Sequence, residues 1–279
     1  EYTTMVDKYE VKKYVAEKIG EQYIIPTLGV WDKFDDIDFD SLPDQFVLKC
    51  THDSGGLVIV KDKNKLDKNE AKKKIENCLR QNYYLKGREW PYKNIKPRII
   101  AESFLDEPKK LIDYKFMVFN GACKIVFTVT NRFSDKGINV SFFNTKWEKL
   151  DFERHYKKDS NEIKKPDHLD EMIMISEKLS ANNIFSRIDL YETNGKIYFG
   201  EITFFPGSGF EEFNPEEYDE ILGTLVKLPI DANIPEIKQQ LGGGYICIVV
   251  NKKVVSSASY RPLSPFVTCC PRTIRRTTC

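Results

Sequence analysis

No apolar run in this 279-residue chain approaches the roughly 20 residues that a helix needs to cross a bilayer. No signal-peptide pattern opens it, and residue 1 is Glu rather than Met, which predicts a trimmed N-terminus. An excess of charge is missing too. The 43 Lys and Arg against 42 Asp and Glu leave a net charge of +1, which gives no reason to expect nucleic acid as a partner. The seven cysteines (Cys50, Cys78, Cys123, Cys247, Cys269, Cys270 and Cys279) are odd in number and contain no C-x-x-C pair, and the three histidines stand apart from them. That pattern argues against a zinc site or a disulfide scaffold and for a reducing compartment such as the cytoplasm. The absence of G-x-x-x-x-G-K-[ST] excludes a P-loop, and no internal repeat is present.

What is present is the profile of an ordinary soluble protein, 41% apolar and 30% charged, long enough for two lobes around a cleft. Residues 5–19 place Val11, Val15 and Ile19 on one helical stripe that ends at Gly20. Strands are predicted over 45–52 and 57–62 around the glycine-rich DSGG tip, and over 97–105. A helix over 67–81 opens on Asp67 and Glu70 in capping-box spacing and buries Ala71, Ile75 and Leu79. DYKFMVF and ACKIVFTV (113–119 and 122–129) form a hairpin about Asn120-Gly121. A helix over 170–181 turns Met172, Ile175 and Leu179 inward. Hairpins and helices alternate without βαβ regularity, so the fold class is α+β in two lobes. After about Pro229 the character changes: from Ile237 to Cys279 there is no Asp or Glu. GGGYICIVV can add a strand. Residues from about Ser264 read as a disordered, dispensable tail in which Cys269 and Cys270 are free thiols.

The segment SRIDLYETNGKIYFGEITFFPGSG (186–209) carries charges where two apolar strands meet. Arg187 and Asp189 share a strand face, as do Glu201 and Thr203. A two-residue Asn194-Gly195 turn would pair Asp189 with Gly200 and turn Glu201 to the other face. A three-residue loop with Gly195 left-handed and a bulge would set Glu201 opposite Arg187, and this is the expected register. Both carboxylates could then converge on one hard cation such as Mg²⁺, with Arg187 available to a transferring phosphoryl group. The plainer reading is an Arg–Glu pair on a solvent-facing edge. In FVLKCTHDSGG (46–56), Lys49 and the backbone around Gly55-Gly56 suit a phosphate cradle; a surface lysine beside a turn is the plainer reading. Asp113 and Lys115 share a face and are equally explained by a salt bridge. Glu102, amid strand apolars, needs a partner or a cleft. DDIDFD (35–40) contains D-x-D but reads better as a solvated connector.

In this order the pieces resemble the ATP-grasp superfamily, and most closely its TupA-like branch from bacterial cell-surface polysaccharide (teichuronopeptide) biosynthesis. The resemblance rests on DKYEVKKYVAEKIGEQYIIP, FVLKCTHDSGG, PRIIAESFLDE, DYKFMVFNG and RID…GEITFFPGSG, and runs from about Asp7 to about Leu228. It implies ATP held between two α+β lobes. Lys49 would contact the α/β phosphates, with His52, Ser54, Gly55 and Gly56 in the loop closing over them. Glu102 and Leu105 would line the adenine and hinge, and Asp113 the ribose. Asp189 and Glu201 match metal ligands, with Thr203 where many relatives carry Asn. Arg187 matches the arginine at the acyl-phosphate-like transition state, and Lys115 a basic residue for phosphate or substrate.

The implied division is an N-terminal helical lead-in (1–44), a small lobe (45–100), a large lobe with the metal site (101–228) and a basic extension (229–279). The implied reaction is ATP-dependent carboxylate–amine ligation through an acyl phosphate. Its partners would be ATP, a carboxylate-bearing small molecule or surface-polymer precursor, and an amine donor. The resemblance adds a place at the inner membrane face to the cytoplasmic reading. The rivals are a small-molecule kinase on the same residues, a glycosyltransferase using DDIDFD, and an inactive ATP-binding scaffold.

Overall fold

Asp7 divides what the apolar spacing predicts as one helix. In the computed structural model, which describes residues 1–105, 111–131, 137–227, 249–250 and 253–254, α1 spans Tyr2–Val6 and α2 spans Val11–Ile19. Between them the Asp7 carboxylate accepts hydrogen bonds from Tyr9 N (2.8 Å) and Glu10 N (3.1 Å). A short acidic side chain thus captures the amide donors that a continuing helix would use. The predicted stop holds: Gly20 has φ 109°, open to glycine and strained for other residues.

The smaller sheet contains β1 (Thr27–Trp31), β2 (Phe46–Cys50), β3 (Leu57–Val60) and β4 (Ile99–Ser103), antiparallel in the order β1-β4-β2-β3. Helix α3 (Lys68–Leu79) covers it. Asp67 caps the helix by accepting from Asn69 N and Glu70 N, and Ala71, Ile75 and Cys78 are buried on the inner face. The acidic run 35–40 keeps its carboxylates exposed but inserts Ile37 and Phe39 into this core beside Phe34 and Leu42. After the short α4 (Tyr84–Gly87) the chain builds a larger sheet from β5 (Asp113–Phe119), β6 (Ala122–Thr130), β7 (Asn139–Asn144), β9 (Phe185–Thr193) and β10 (Lys196–Thr203). Its order is β10-β9-β5-β6-β7, all antiparallel. A two-residue pair, β8 (Glu153–Arg154) with β11 (Phe213–Asn214), flanks it, and α5 (Leu169–Leu179) and α6 (Glu217–Gly223) pack on it.

Every residue of β5 is buried. One face, with Phe116 and Val118, joins α2 and α5 through Val11, Val15, Met172, Ile175 and Leu179. The other, with Met117 and Phe119, joins Phe127, Phe142, Phe152 and Leu222. A strand buried on both faces does not alternate in polarity, and any charge on it must find a partner inside the protein.

Within residues 1–44, α1 and α2 enter the core of the larger sheet, while β1 completes the smaller one, which runs on to Ser103. One expectation needs correction, the register of the β9–β10 hairpin. Asn194 (φ 52°) and Gly195 (φ 70°) form a two-residue turn with Lys196 opposite Thr193, because Asn tolerates the left-handed region. The irregularity lies instead at Gly200, so Glu201 pairs with Asp189 and Thr203 with Arg187. Asp189 and Glu201 still share a face, by a bulge rather than a longer loop. Of the C-terminal extension, the described part is a pair of two-residue strands, β12 (Val249–Val250) and β13 (Lys253–Val254). The expected tail beyond about Ser264 lies outside the described residues. No helix among the described residues is long and apolar enough to cross a membrane.

Phe116 is fully buried where β5, α2 and α5 meet. Phe116→Ala is predicted to lower stability by about 3–5 kcal/mol, read from the urea midpoint at unchanged m. A loss under about 1 kcal/mol would mean that this core does not hold the helices to the sheet.

Candidate active site

The two sheets enclose a cavity of about 1220 Å³. Its walls carry opposed clusters of charge. On the small-lobe side Glu102 is buried on β4 and accepts from both Lys12 Nζ and Lys49 Nζ at 2.6 Å. Lys12 also donates to Ile25 O and Thr27 Oγ1, both at 2.7 Å, so its ammonium is fully engaged within the protein. Lys49, with a quarter of its side chain exposed, keeps donors for the cavity. Burial opposes the Glu102 charge, but the two ammonium groups outweigh it and hold its carboxyl below the usual value.

Ser54, Gly55 and Gly56 line the same cavity. Gly55 has φ 147° and open space where a Cβ would lie. Lys8, just past α1, donates its Nζ to the Asp53 carbonyl and also faces the cavity. His52 does not join them. It is 2% exposed, and its Nε2 faces the carbonyls of Cys78 (3.2 Å) and Gln81 (3.0 Å) at the end of α3. Leu105, half-buried beyond β4, is likewise off the cavity wall.

On the large-lobe side the ladder sets one row across the sheet: Glu201, Asp189, Lys115, Phe127 and Phe142, on β10, β9, β5, β6 and β7 in turn. Lys115 Nζ bonds the carboxylates of Asp189 and Asp113, the latter at 2.9 Å. Arg187 grips Asp189 with two bonds, Nε to Oδ1 at 2.6 Å and Nη2 to Oδ2 at 2.8 Å, and reaches Glu201 Oε1 at 2.6 Å. Thr203 Oγ1 donates to the same Glu201 oxygen at 3.0 Å. Burial works against the Glu201 charge, yet Arg187, Lys115 and Lys8 overcome it and set its pKa at about 2. Burial likewise opposes the Arg187 charge, and Asp189 and Glu201 keep it firmly protonated. The structure thus brings together Lys49, Ser54, Gly55, Gly56, Glu102, Asp113, Lys115, Arg187, Asp189, Glu201 and, through Glu201, Thr203.

Several charged residues here were not singled out from the sequence. Lys8 and Lys12 sit in the quoted DKYEVKK, where no local pattern marks which lysine faces inward. Arg154, on β8, is buried over the Phe127 ring (4.9 Å) and pairs with Glu211 at 3.3 Å. Glu89 is buried in an irregular segment and accepts from Ser208 Oγ at 3.2 Å.

The family described as TupA-like ATPgrasp matches residues 1–227. A comparison with curated proteins yields no match. Among solved structures, the D-alanine–D-alanine ligase from Bacillus anthracis, complexed with ATP, is similar at 16% identity and TM-score 0.43, over 74% of this chain and 60% of that one. The D-alanine–D-alanine ligase from Helicobacter pylori is similar at 17% identity and TM-score 0.41, over 73% and 55%. A RimK domain protein from Sphaerobacter thermophilus is similar at 12% identity and TM-score 0.41, over 75% and 64%. The chain therefore spans less than two thirds of each of these proteins.

Burial pushes the Glu89 carboxyl up from 4.5 to about 7. The native state then holds a proton that the unfolded chain releases, so stability falls as pH rises from 4.5 to about 7 and is level above it. Glu89→Gln is predicted to remove that fall, gaining on the parent at pH 7.5 relative to pH 4.5 in urea midpoints. Parallel pH profiles for the two proteins would contradict it.

Proposed function

Because the chain belongs to the TupA-like ATP-grasp family, we propose that it is an ATP-dependent carboxylate–amine ligase. The observation that carries this reading is one cavity with Lys49 on one wall and the Arg187–Asp189–Glu201–Lys115 network on the other. Its volume of about 1220 Å³ admits a nucleotide and an acceptor side by side.

The donor chemistry of the large-lobe wall fits Mg²⁺, which takes hard oxygen ligands and shares them with phosphate. Asp189 and Glu201 would hold the ion, with the Thr203 hydroxyl as a weaker oxygen beside them. When bound, Mg·ATP supplies the γ-phosphoryl group that converts a carboxylate to an acyl phosphate open to attack by an amine. The chain's own residues position and neutralise. Lys49 and the Ser54–Gly56 loop neutralise phosphate, joined by Lys8. Arg187, fixed by two acidic partners, presents a rigid cation to charge that develops during transfer. Lys115 steadies phosphate or substrate, and Asp113 beside it suits a ribose hydroxyl. In the family's setting the acceptor is a uronic acid or amino-acid carboxylate of a bacterial surface polymer, handled in the cytoplasm or at the inner membrane face.

ADP release screened across uronic acids and amino acids, with and without an amine, tests the reading. A ligase needs both carboxylate and amine; release at full rate without amine makes it a kinase. Preferential binding of a nucleotide sugar over ATP would favour glycosyl transfer. Lys49→Ala is predicted to weaken ATP binding by about 2–4 kcal/mol, roughly 30- to 1000-fold, in calorimetry. The fold should persist, because Lys12 still neutralises Glu102. Unchanged affinity would remove Lys49 from the phosphate site.

A further inference from the structure

Cys50 and Cys78 lie 28 positions apart in the sequence, with nothing local to link them. The fold joins them. Cys50 ends β2, Asp53 opens the glycine-rich loop, and Cys78 lies in the last turn of α3. One ligating atom from each, two thiol sulfurs and a carboxylate oxygen, lie within 4.8 Å of one another. All three residues are buried. The Asp53 carboxylate takes a hydrogen bond from the Cys78 thiol and a long one from Gly56 N at 3.3 Å. Among the described residues no Lys or Arg pairs with that carboxylate; Lys8 binds its backbone carbonyl instead. A buried carboxylate held by a thiol and one amide is poorly compensated, and a cation would compensate it.

The backbone closes tightly around this group. A Cβ on Gly56 would stand 2.5 Å from Cys78 Sγ and 2.8 Å from Cys50 Sγ, so only glycine lets the loop lie against both sulfurs. The next residue along from Thr51 adds a related feature. His52 Nε2 faces two carbonyl oxygens, which places its proton there and leaves Nδ1 a lone pair, buried and without a hydrogen-bond partner. A ring that donates one N–H to backbone and offers the other nitrogen is the arrangement usual for metal-binding histidines. His52 is outside the group of three, and we assign it no bond.

We propose that Cys50, Asp53 and Cys78 form a binding site for a borderline-soft divalent cation of the zinc class, built into the base of the glycine-rich loop. Two sulfurs and one oxygen make a three-ligand set that selects zinc-class ions over Mg²⁺, with water as the fourth ligand. Binding exchanges the two thiol protons for the metal and releases them to solvent. Two thiolates and a carboxylate carry three negative charges against two positive, and the Lys8 ammonium at the Asp53 carbonyl offsets the remainder. The ion would tie the loop to α3, apart from the hard-oxygen set at Asp189 and Glu201. The site is independent of which reaction the cavity performs.

The test is a Co²⁺ titration of the full-length, reduced protein under anaerobic conditions, with Cys247, Cys269, Cys270 and Cys279 changed to Ser. The expected result is a near-ultraviolet thiolate-to-cobalt absorbance that saturates at one equivalent and is displaced by Zn²⁺. C50S and C78S each abolish it, and C123S keeps it. D53N, which preserves side-chain volume, raises the Co²⁺ dissociation constant roughly tenfold or more and decides the matter if a cysteine variant fails to fold. No thiolate absorbance in the parent protein, full absorbance in C50S and C78S, or unchanged affinity in D53N would each overturn the proposal.

Discussion

Asp189 is the residue on which the large lobe's charges depend. Its two oxygens are held by Arg187 Nε and Nη2, and Lys115 joins from the neighbouring strand. Each of these groups would be costly to bury alone. They meet because β5, β9 and β10 lie side by side with the opposing charges in register, and burial still pushes the Asp189 carboxyl up against the pull of Arg187 and Lys115. Removing one member would leave the others buried without compensation, which costs more than the network gains over an apolar core. Such an arrangement is poor evidence of stability for its own sake and good evidence of a site, since it faces a cavity rather than a packed interior.

The second pole is tied to the first through α2. That helix buries Val11 and Val15 against the core of the larger sheet, while its Lys12 reaches Glu102 on the smaller one. Packing and charge on a single nine-residue helix therefore couple the two walls of the cavity. Lys49 shares Glu102 with Lys12, so it can turn toward a ligand without stranding the carboxylate. The base of the glycine-rich loop is anchored separately, by the Cys50–Asp53–Cys78 group at the end of α3.

Local chemistry made much of this legible. Asn120-Gly121 specifies its hairpin, Asn194-Gly195 marks a second without fixing its register, Asp67 starts α3, and Met172, Ile175 and Leu179 give the inward face of α5. What escaped depends on partners distant in sequence. TLGVW at 27–31 shows no alternation because every residue after the exposed Thr27 is partly covered, and it becomes a strand only by pairing with β4. The bulge at Gly200 is invisible as a periodicity, although it decides that Glu201 faces Asp189. His52 sits in a motif that suggests a ligand contact, but the end of α3 supplies two carbonyls for its ring. The Cys50–Asp53–Cys78 group is not legible in the cysteine spacing, because Cys50 and Cys78 meet through a hairpin and a helix rather than a short motif.

On the proposed reading, the Arg187–Asp189–Glu201–Lys115 wall, opposed to Lys49, binds ATP together with a hard cation. Calorimetric titration with a non-hydrolysable ATP analogue, with and without Mg²⁺, on the parent and on Glu201→Gln, tests it most directly. The expected result is one site per chain in the parent, tightened by Mg²⁺, with that tightening lost in Glu201→Gln. Binding that ignores Mg²⁺, or a Mg²⁺ effect that survives the substitution, would contradict it.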